Sequence, residues 1–77
     1  MTQILSPLPG TFYRKSAPDQ PDYVALGDVI AIGQVIGLIE VMKTFIEVQA
    51  DAAGRITALL ADNEEPVMAG QPLLELA

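Results

Sequence analysis

The chain has 77 residues, 51% hydrophobic and 18% charged, so we predict one small folded domain rather than a disordered segment. Ten acidic residues against four basic ones give a formal net charge of -6, which argues against nucleic acid or an anionic membrane as partner. Because histidine and cysteine are absent, the commonest general base, metal ligands and thiol nucleophile are missing, and we expect neither catalysis nor a metal site.

Short strand patterns separated by Gly, Pro and Asp run along the chain, and no segment shows the apolar stripe of an amphipathic helix. In chain order, the predicted strands are Thr2–Ser6, Gly10–Arg14, Tyr23–Leu26, Val29–Ile32, Gln34–Val41, Thr44–Ala50, Gly54–Leu60 and Gln71–Leu76. This spacing is typical of an all-β sandwich or flattened barrel.

The two halves of the chain are similar to each other. Residues 30–39 resemble residues 67–76, with a Gly-Gln pair at the same place in each, and residues 10–12 resemble residues 54–56. Each half alone would be a few strands with one apolar face, which is not stable in water. We therefore expect two antiparallel sheets, related by a pseudo-two-fold axis, with their apolar faces packed together.

The first half is seven residues longer than the second. Gly33 follows Gly10 by 23 positions, whereas Gly70 follows Gly54 by 16. The surplus falls in residues 15–22, which contain two prolines and no strand pattern. This difference predicts a loop inserted into one of two similar half-domains.

The hairpin at residues 34–50, which joins the halves, has an unusual turn. The strand patterns on either side place Met42 and Lys43 at its centre. A two-residue hairpin turn needs positive φ at both central positions and normally uses Asn-Gly or Asp-Gly. Because a local rule broken at an exposed position often marks a functional site, Lys43 is the leading candidate for a functional side chain. The alternative is an ordinary exposed lysine.

Several segments together resemble the biotinyl/lipoyl carrier domain family, and within it the carriers of acetyl-CoA carboxylase. Residues 6–14 resemble the family's opening Ser-Pro-x-x-Gly-Thr-Phe-Tyr-Arg. Residues 40–43 resemble its Glu-Ala-Met-Lys-Met attachment signature, and residues 50–54 the Ala-Asp-x-x-Gly that follows. Gly27-Asp28 and Gly33-Gln34 resemble its paired glycine turns. The resemblance covers nearly the whole chain.

The resemblance implies a barrel-sandwich hybrid (hammerhead) of two antiparallel four-stranded sheets, spanning residues 1–77 as a single domain. It implies that Lys43 carries covalent biotin, attached by a biotin protein ligase that reads Glu40, Val41, Met42 and Thr44. The chain would be a non-catalytic subunit that carries a carboxyl group from a biotin carboxylase subunit to a carboxyltransferase subunit, in acetyl-CoA carboxylase or a related carboxylase.

The loop at residues 15–22 resembles the thumb of bacterial acetyl-CoA carboxylase carriers, which can contact the biotin ring system. The resemblance therefore implies biotin contacts from Ser16, Ala17, Pro18, Asp19, Gln20, Pro21 and Asp22.

Two positions depart from the family pattern. Val41 stands where the family usually has Ala, and Thr44 stands where it usually has Met. Thr44 replaces a large flexible side chain by a small polar one, which predicts reduced or altered recognition by the ligase. The same substitution leaves open a carboxyl acceptor other than acetyl-CoA.

Two other functions of the same fold remain open. A lipoyl carrier shares the architecture, but its hairpins usually show Asp-Lys, so Met42 favours biotin. A non-carrier adaptor module is the second alternative. The net charge of -6 suits docking on basic partner surfaces and equally suits solubility alone. With no signal segment and no apolar stretch long enough to span a bilayer, we expect a cytoplasmic protein.

Overall fold

The computed structural model describes residues 2–77, so Met1, the first residue of the predicted domain, lies outside the described residues. Eight strands are present in this range. They are β1 (Thr2–Leu5), β2 (Gly10–Tyr13), β3 (Val29–Ile30), β4 (Val35–Val41), β5 (Thr44–Gln49), β6 (Gly54–Leu59), β7 (Glu65–Val67) and β8 (Pro72–Leu76).

The strands form two four-stranded antiparallel sheets, which confirms the predicted fold class. Their orders are β1-β8-β6-β3 and β5-β4-β2-β7. Adding four to each strand number in the first order, and returning to one after eight, gives the second order. The first four strands therefore occupy the same topological positions as the last four, which is the pattern of a pseudo-two-fold axis.

The pairing register shows the same symmetry residue by residue. The pairs Thr2↔Leu76 and Leu5↔Pro72, at the two ends of the β1–β8 ladder, correspond to Ile46↔Ile39 and Gln49↔Val35 in the β4–β5 ladder. Both ladders shift register at the equivalent place. Corresponding residues are 44 positions apart before the loop at 15–22 and 37 positions apart after it. The difference is the seven-residue surplus, so the loop is an insertion into an otherwise repeated unit.

One turn design occurs four times and explains the repeated Gly-Gln pairs. In each turn the first carbonyl accepts a hydrogen bond from the fourth N–H, and the fourth side-chain oxygen accepts one from the first N–H. The third residue has positive φ, which glycine adopts at least cost. The four turns are residues 25–28, 31–34, 62–65 and 68–71, with Gly27, Gly33, Glu64 and Gly70 in third position.

Two strand predictions are wrong. Residues 23–26 form no strand, since Val24 alone is buried and a hydrogen-bonded turn starts at Ala25. The second error is the omission of β7, which contains Pro66. This proline is tolerated because β7 lies at the edge of its sheet, where one side of the strand needs no hydrogen bonds. The other predicted strands agree with the structure to within two residues at each end.

The core lies between the sheets and draws on both halves of the chain. Gly37 illustrates how closely it is packed, because a Cβ atom at this position would lie 2.5 Å from a ring carbon of Phe12. The largest fully buried side chains are Ile4, Ile30, Ile36, Ile39, Ile56, Leu73, Leu74 and Leu76.

Candidate functional site

The β4–β5 hairpin presents Lys43 at its tip. Pairing runs from Val35↔Gln49 to Val41↔Thr44, one residue short of the predicted range 34–50 at each end. Met42 and Lys43 form the two-residue loop, with φ of 50° and 66°. The predicted centre of the turn and its positive φ angles are confirmed. Holding two non-glycine residues in the left-handed region costs roughly 1–2 kcal/mol each.

Lys43 differs from the other basic residues of the chain in its surroundings. Arg14 and Lys15 both lie close to Asp22, and Arg55 donates a hydrogen bond to the Gly27 carbonyl oxygen at 2.7 Å. Within residues 2–77, the Lys43 ammonium has no carboxylate at ion-pair distance. Its side chain is exposed to solvent, so the amine is accessible to a second protein.

Met42 and Thr44, on either side of Lys43, are also exposed. Met42 is 93% exposed, more than the other large apolar side chains of the described range. Val41 is half-buried and packs against the core, while Glu40 is half-buried at the sheet surface. The four residues predicted to be read by a ligase therefore surround the lysine, and two of them are fully available to a partner.

The outer face of the β5-β4-β2-β7 sheet carries a second apolar group close to the hairpin. Phe12 and Ile39 are opposite each other and point into the core, so their neighbours Tyr13 and Leu38 point outward. The Tyr13 ring contacts that of Phe45, with centroids 5.9 Å apart and planes at 57°. Leu38 is only 8% exposed although it lies outside the core cluster. An outer sheet face is normally polar, so these side chains indicate a function there.

Tyr13 is hydrogen-bonded to the hairpin as well. Its hydroxyl donates to Glu40 Oε1 at 3.0 Å. This bond is the main reason that the pKa of Tyr13 is raised above its usual value of 10.0, because ionisation would break it. Burial and the negative charges of Glu40 and Glu64 raise the pKa of Tyr13 further.

A cavity of about 330 Å³ opens on this outer face. Three structural elements meet there: the sheet, the loop at 15–22 and the turn between β6 and β7. The lining residues are Tyr13, Leu38 and Phe45 from the sheet, Lys15, Ser16, Ala17 and Pro18 from the loop, and Asn63 and Glu64 from the turn.

The base of the loop is closed by several contacts. Lys15 and Asp22 form an isolated antiparallel bridge, and the Tyr23 N–H donates to the Arg14 carbonyl oxygen at 2.8 Å. The Asp22 carboxylate lies 3.3 Å from Arg14 Nη2 and 3.8 Å from Lys15 Nζ. The Arg14 N–H also donates to Asn63 Oδ1 at 2.8 Å, which ties the loop to the second half-domain.

Only part of the predicted thumb faces the cavity. Ser16, Ala17 and Pro18 line it, whereas Asp22 holds the base of the loop. The other predicted residues, Asp19, Gln20 and Pro21, are exposed and do not line it. The cavity residues that the sequence did not indicate are Tyr13, Leu38, Phe45, Asn63 and Glu64. For Tyr13, the available signal was its place next to a core phenylalanine on a strand.

Two further features of the described part of the chain concern partners and ligands. Residues 2–77 contain no helix that is long and apolar enough to cross a membrane. Residues 2–77 also contain no group of three or more His, Cys, Asp or Glu side chains arranged to hold a metal ion.

A sequence profile of the family described as "Biotin-requiring enzyme" matches residues 2–76. The chain belongs to this family. Members of the biotin-requiring enzyme family similar to it include the biotin carboxyl carrier protein of acetyl-CoA carboxylase from Nostoc sp. (strain PCC 7120), 41% identical over 76 residues. That match covers 99% of this chain and 42% of the relative.

Other relatives extend the comparison within the biotin-requiring enzyme family. The biotin carboxyl carrier protein of acetyl-CoA carboxylase 2, chloroplastic, from Arabidopsis thaliana is 42% identical over 74 residues, covering 96% of this chain and 29% of the relative. The carrier protein from Streptococcus pyogenes is 42% identical over 73 residues, covering 95% and 44%. The chain thus spans less than half the length of these relatives. The resemblance to carriers of acetyl-CoA carboxylase is confirmed.

A solved structure agrees with the fold. The crystal structure of the Kluyveromyces lactis urea carboxylase matches with a TM-score of 0.76 at 28% identity. The match covers 99% of this chain and 6% of that much longer chain. A domain of this shape therefore also occurs within that much longer chain.

Proposed function

We propose that this chain is a biotin carrier subunit of a biotin-dependent carboxylase, and that Lys43 Nζ is the atom to which biotin is attached. The observation that carries the proposal is the position of this amine. It lies at the tip of a strained two-residue turn between the half-domains, with no ion-pair partner within residues 2–77.

The residues around Lys43 suit both the attachment and the attached group. Nζ forms an amide bond in the attachment reaction, and within residues 2–77 no carboxylate at ion-pair distance competes for this amine. The nearby cavity combines an apolar wall of Tyr13, Leu38 and Phe45 with polar groups from Ser16 and Glu64. Biotin supplies a ureido nitrogen that accepts and releases a carboxyl group, and its ring has both apolar and hydrogen-bonding parts.

The protein itself contributes position rather than catalysis. Lys43 holds the group on a flexible side chain, and the β4–β5 ladder fixes the base of that side chain up to Val41 and Thr44. Tethering keeps the group at a high effective concentration near each partner site. In the cavity, we assign contact with the ring to Ser16, Ala17 and Pro18. Of the predicted thumb residues 16–22, the proposal therefore keeps residues 16–18 as biotin contacts.

The partners in this proposal are a biotin protein ligase, a biotin carboxylase subunit and a carboxyltransferase subunit. Acetyl-CoA is the proposed carboxyl acceptor, because the relatives at about 40% identity are carriers of acetyl-CoA carboxylase. The acidic surface, with a net charge of -6, suits docking on basic surfaces of these subunits.

Intact-mass measurement tests the attachment. The chain is co-expressed with a bacterial biotin protein ligase and, separately, with a lipoate ligase. We expect a mass increase of one biotinyl group with the first enzyme and none with the second. The variant Lys43→Arg should gain no mass, while Lys15→Arg should be modified like the wild type. An unmodified wild-type chain, a lipoyl adduct or full modification of Lys43→Arg would contradict the proposal.

A further inference from the structure

Glu40 is held by one of its two carboxylate oxygens. It lies three residues before Lys43 on β4, directly opposite Phe45 on β5. Its Oε1 accepts the hydrogen bond from the Tyr13 hydroxyl at 3.0 Å. The Glu40 carboxylate forms no other hydrogen bond and no ion pair with residues 2–77, so Oε2 is left as an open acceptor.

Tyr13 is well placed to hold this carboxylate, because its own position is fixed. It ends β2 opposite Leu38, and its ring packs against Phe45. Tyr13 and Glu40 are diagonal neighbours on the same outer face, a spacing that long side chains bridge. The half-buried ring has little freedom to turn away, so the hydroxyl remains directed at Glu40.

We propose that Tyr13 is a positioning residue for the loading of Lys43. The Tyr13 hydroxyl fixes the Glu40 carboxylate in the orientation that meets a cationic side chain of the biotin protein ligase. This inference rests on the proposed function. A free glutamate samples several rotamers and loses that freedom when it docks, whereas a glutamate already held loses less. An ionised carboxylate only accepts hydrogen bonds, so the complementary group on the ligase is a lysine or arginine.

The variant Tyr13→Phe removes the hydroxyl and keeps the ring against Phe45. Loading of the purified 77-residue chain by a bacterial biotin protein ligase, with biotin and ATP, gives KM for the chain and kcat. We expect KM to rise about three- to ten-fold, the range for loss of one intramolecular hydrogen bond, while kcat stays within about two-fold. Tyr23→Phe is the matched control and should leave both constants unchanged, because within residues 2–77 the Tyr23 hydroxyl forms no hydrogen bond.

A double-variant cycle separates positioning from a direct role of Tyr13. If Tyr13 acts through Glu40, then Tyr13→Phe has no further effect on KM in a Glu40→Ala background. The variant Glu40→Gln keeps an acceptor oxygen for Tyr13 and loses the charge, so its KM should rise at least as much as that of Tyr13→Phe. This second arm does not depend on the stability of the tyrosine variant.

Three results would overturn the inference: an unchanged KM for Tyr13→Phe, an unchanged KM for Glu40→Gln, or fully additive effects in the double variant. In each of these cases a wild-type chain that is loaded normally leaves the proposed function standing. A wild-type chain that the ligase does not load at all overturns both.

Discussion

At the residue scale, the β4–β5 hairpin combines a strained two-residue turn with an exposed lysine at its tip. Met42 and Lys43 adopt positive φ without glycine, and the Lys43 amine has no ion-pair partner within residues 2–77. Glycine would ease the turn but would remove the amine or the apolar side chain beside it. We therefore attribute the strain at this turn to the need for a methionine and a lysine at its two central positions.

Thr44 is the position at which we most expect a substitution to improve recognition by the ligase. It is exposed beside Lys43 and lacks the apolar surface that methionine would offer at this position. We expect Thr44→Met to raise kcat/KM for biotin loading about five-fold, the factor that ~1 kcal/mol of added apolar contact gives. The measurement is the rate of biotin incorporation at limiting chain concentration. Thr57→Met, exposed on the other sheet, is the control and should change nothing. Equal or slower loading of Thr44→Met would show that the ligase does not read this position through apolar contact.

Glu64 occupies a position that the three equivalent turns give to glycine, with φ of 64°. Glu64→Gly relieves the left-handed strain but makes the unfolded chain more flexible. We expect a net gain in unfolding free energy of roughly 0.5–1 kcal/mol, measured by urea denaturation. Glu64→Ala keeps the strain and should give no such gain. If alanine stabilises the fold as much as glycine does, the effect comes from removing the carboxylate and not from the backbone.

At the element scale, the loop at 15–22 is an insertion whose seven extra residues have no counterpart in the second half. Its base is held by Asp22, and its first part forms one wall of the cavity. The insertion therefore adds a surface to the cavity without changing the strand ladders on either side of it. This separation of loop and ladder makes the loop removable.

Deleting residues 16–22 should leave the fold and biotin loading intact and should slow only carboxyl transfer. The ends to be joined, Lys15 and Tyr23, are close because the Tyr23 N–H donates to the Arg14 carbonyl oxygen at 2.8 Å, and the ion pairs lost are partly exposed ones of low energy. We expect biotin loading at the wild-type rate, an unfolding free energy changed by less than about 1 kcal/mol, and slower carboxyl transfer in the reconstituted carboxylase. An unfolded product would show that the loop is structural, and unimpaired transfer would show that it has no role in delivery.

The sequence predicted the strands where a clear strand pattern lies between turn residues, as in the aliphatic run of β4 and the alternation of β5. It failed at two places: the apolar run at 23–26 contains a single buried valine and no strand, and the edge strand β7 is only three residues long and contains Pro66. The tip of the hairpin was predictable because its two flanking strands have clear patterns. The cavity was not, because its walls come from residues far apart in sequence, and their meeting depends on register across three strands.

At the scale of the whole molecule, two repeated units share one core, so neither is expected to persist without the other. Ile39 and Leu76 are equivalent under the repeat, and both are 0% exposed. Other pairs behave alike, such as Ile36 and Leu73, each 1% exposed. The symmetry thus extends from the backbone ladders to the packing of individual side chains.

Truncation at two equivalent core positions tests this shared core. We expect Ile39→Ala and Leu76→Ala each to lower the unfolding free energy by about 2–5 kcal/mol. In a domain of this size such a loss is a large part of the total unfolding free energy, so unfolding should occur at a clearly lower urea concentration. Because the two halves share one core, both variants should still unfold in a single transition. Circular dichroism and amide NMR signals would follow the transition. A residual folded half in either variant would contradict the single-core description.

Strand β8 ends far from Lys43. The Ala77 N–H donates to the Arg55 carbonyl oxygen, and Arg55 follows the end of β5 that is remote from the hairpin tip. Six residues of β5 separate these two regions, a span of ~20 Å along the strand. A dye, an affinity tag or a surface linker grafted onto Ala77 would thus leave the Lys43 amine unobstructed.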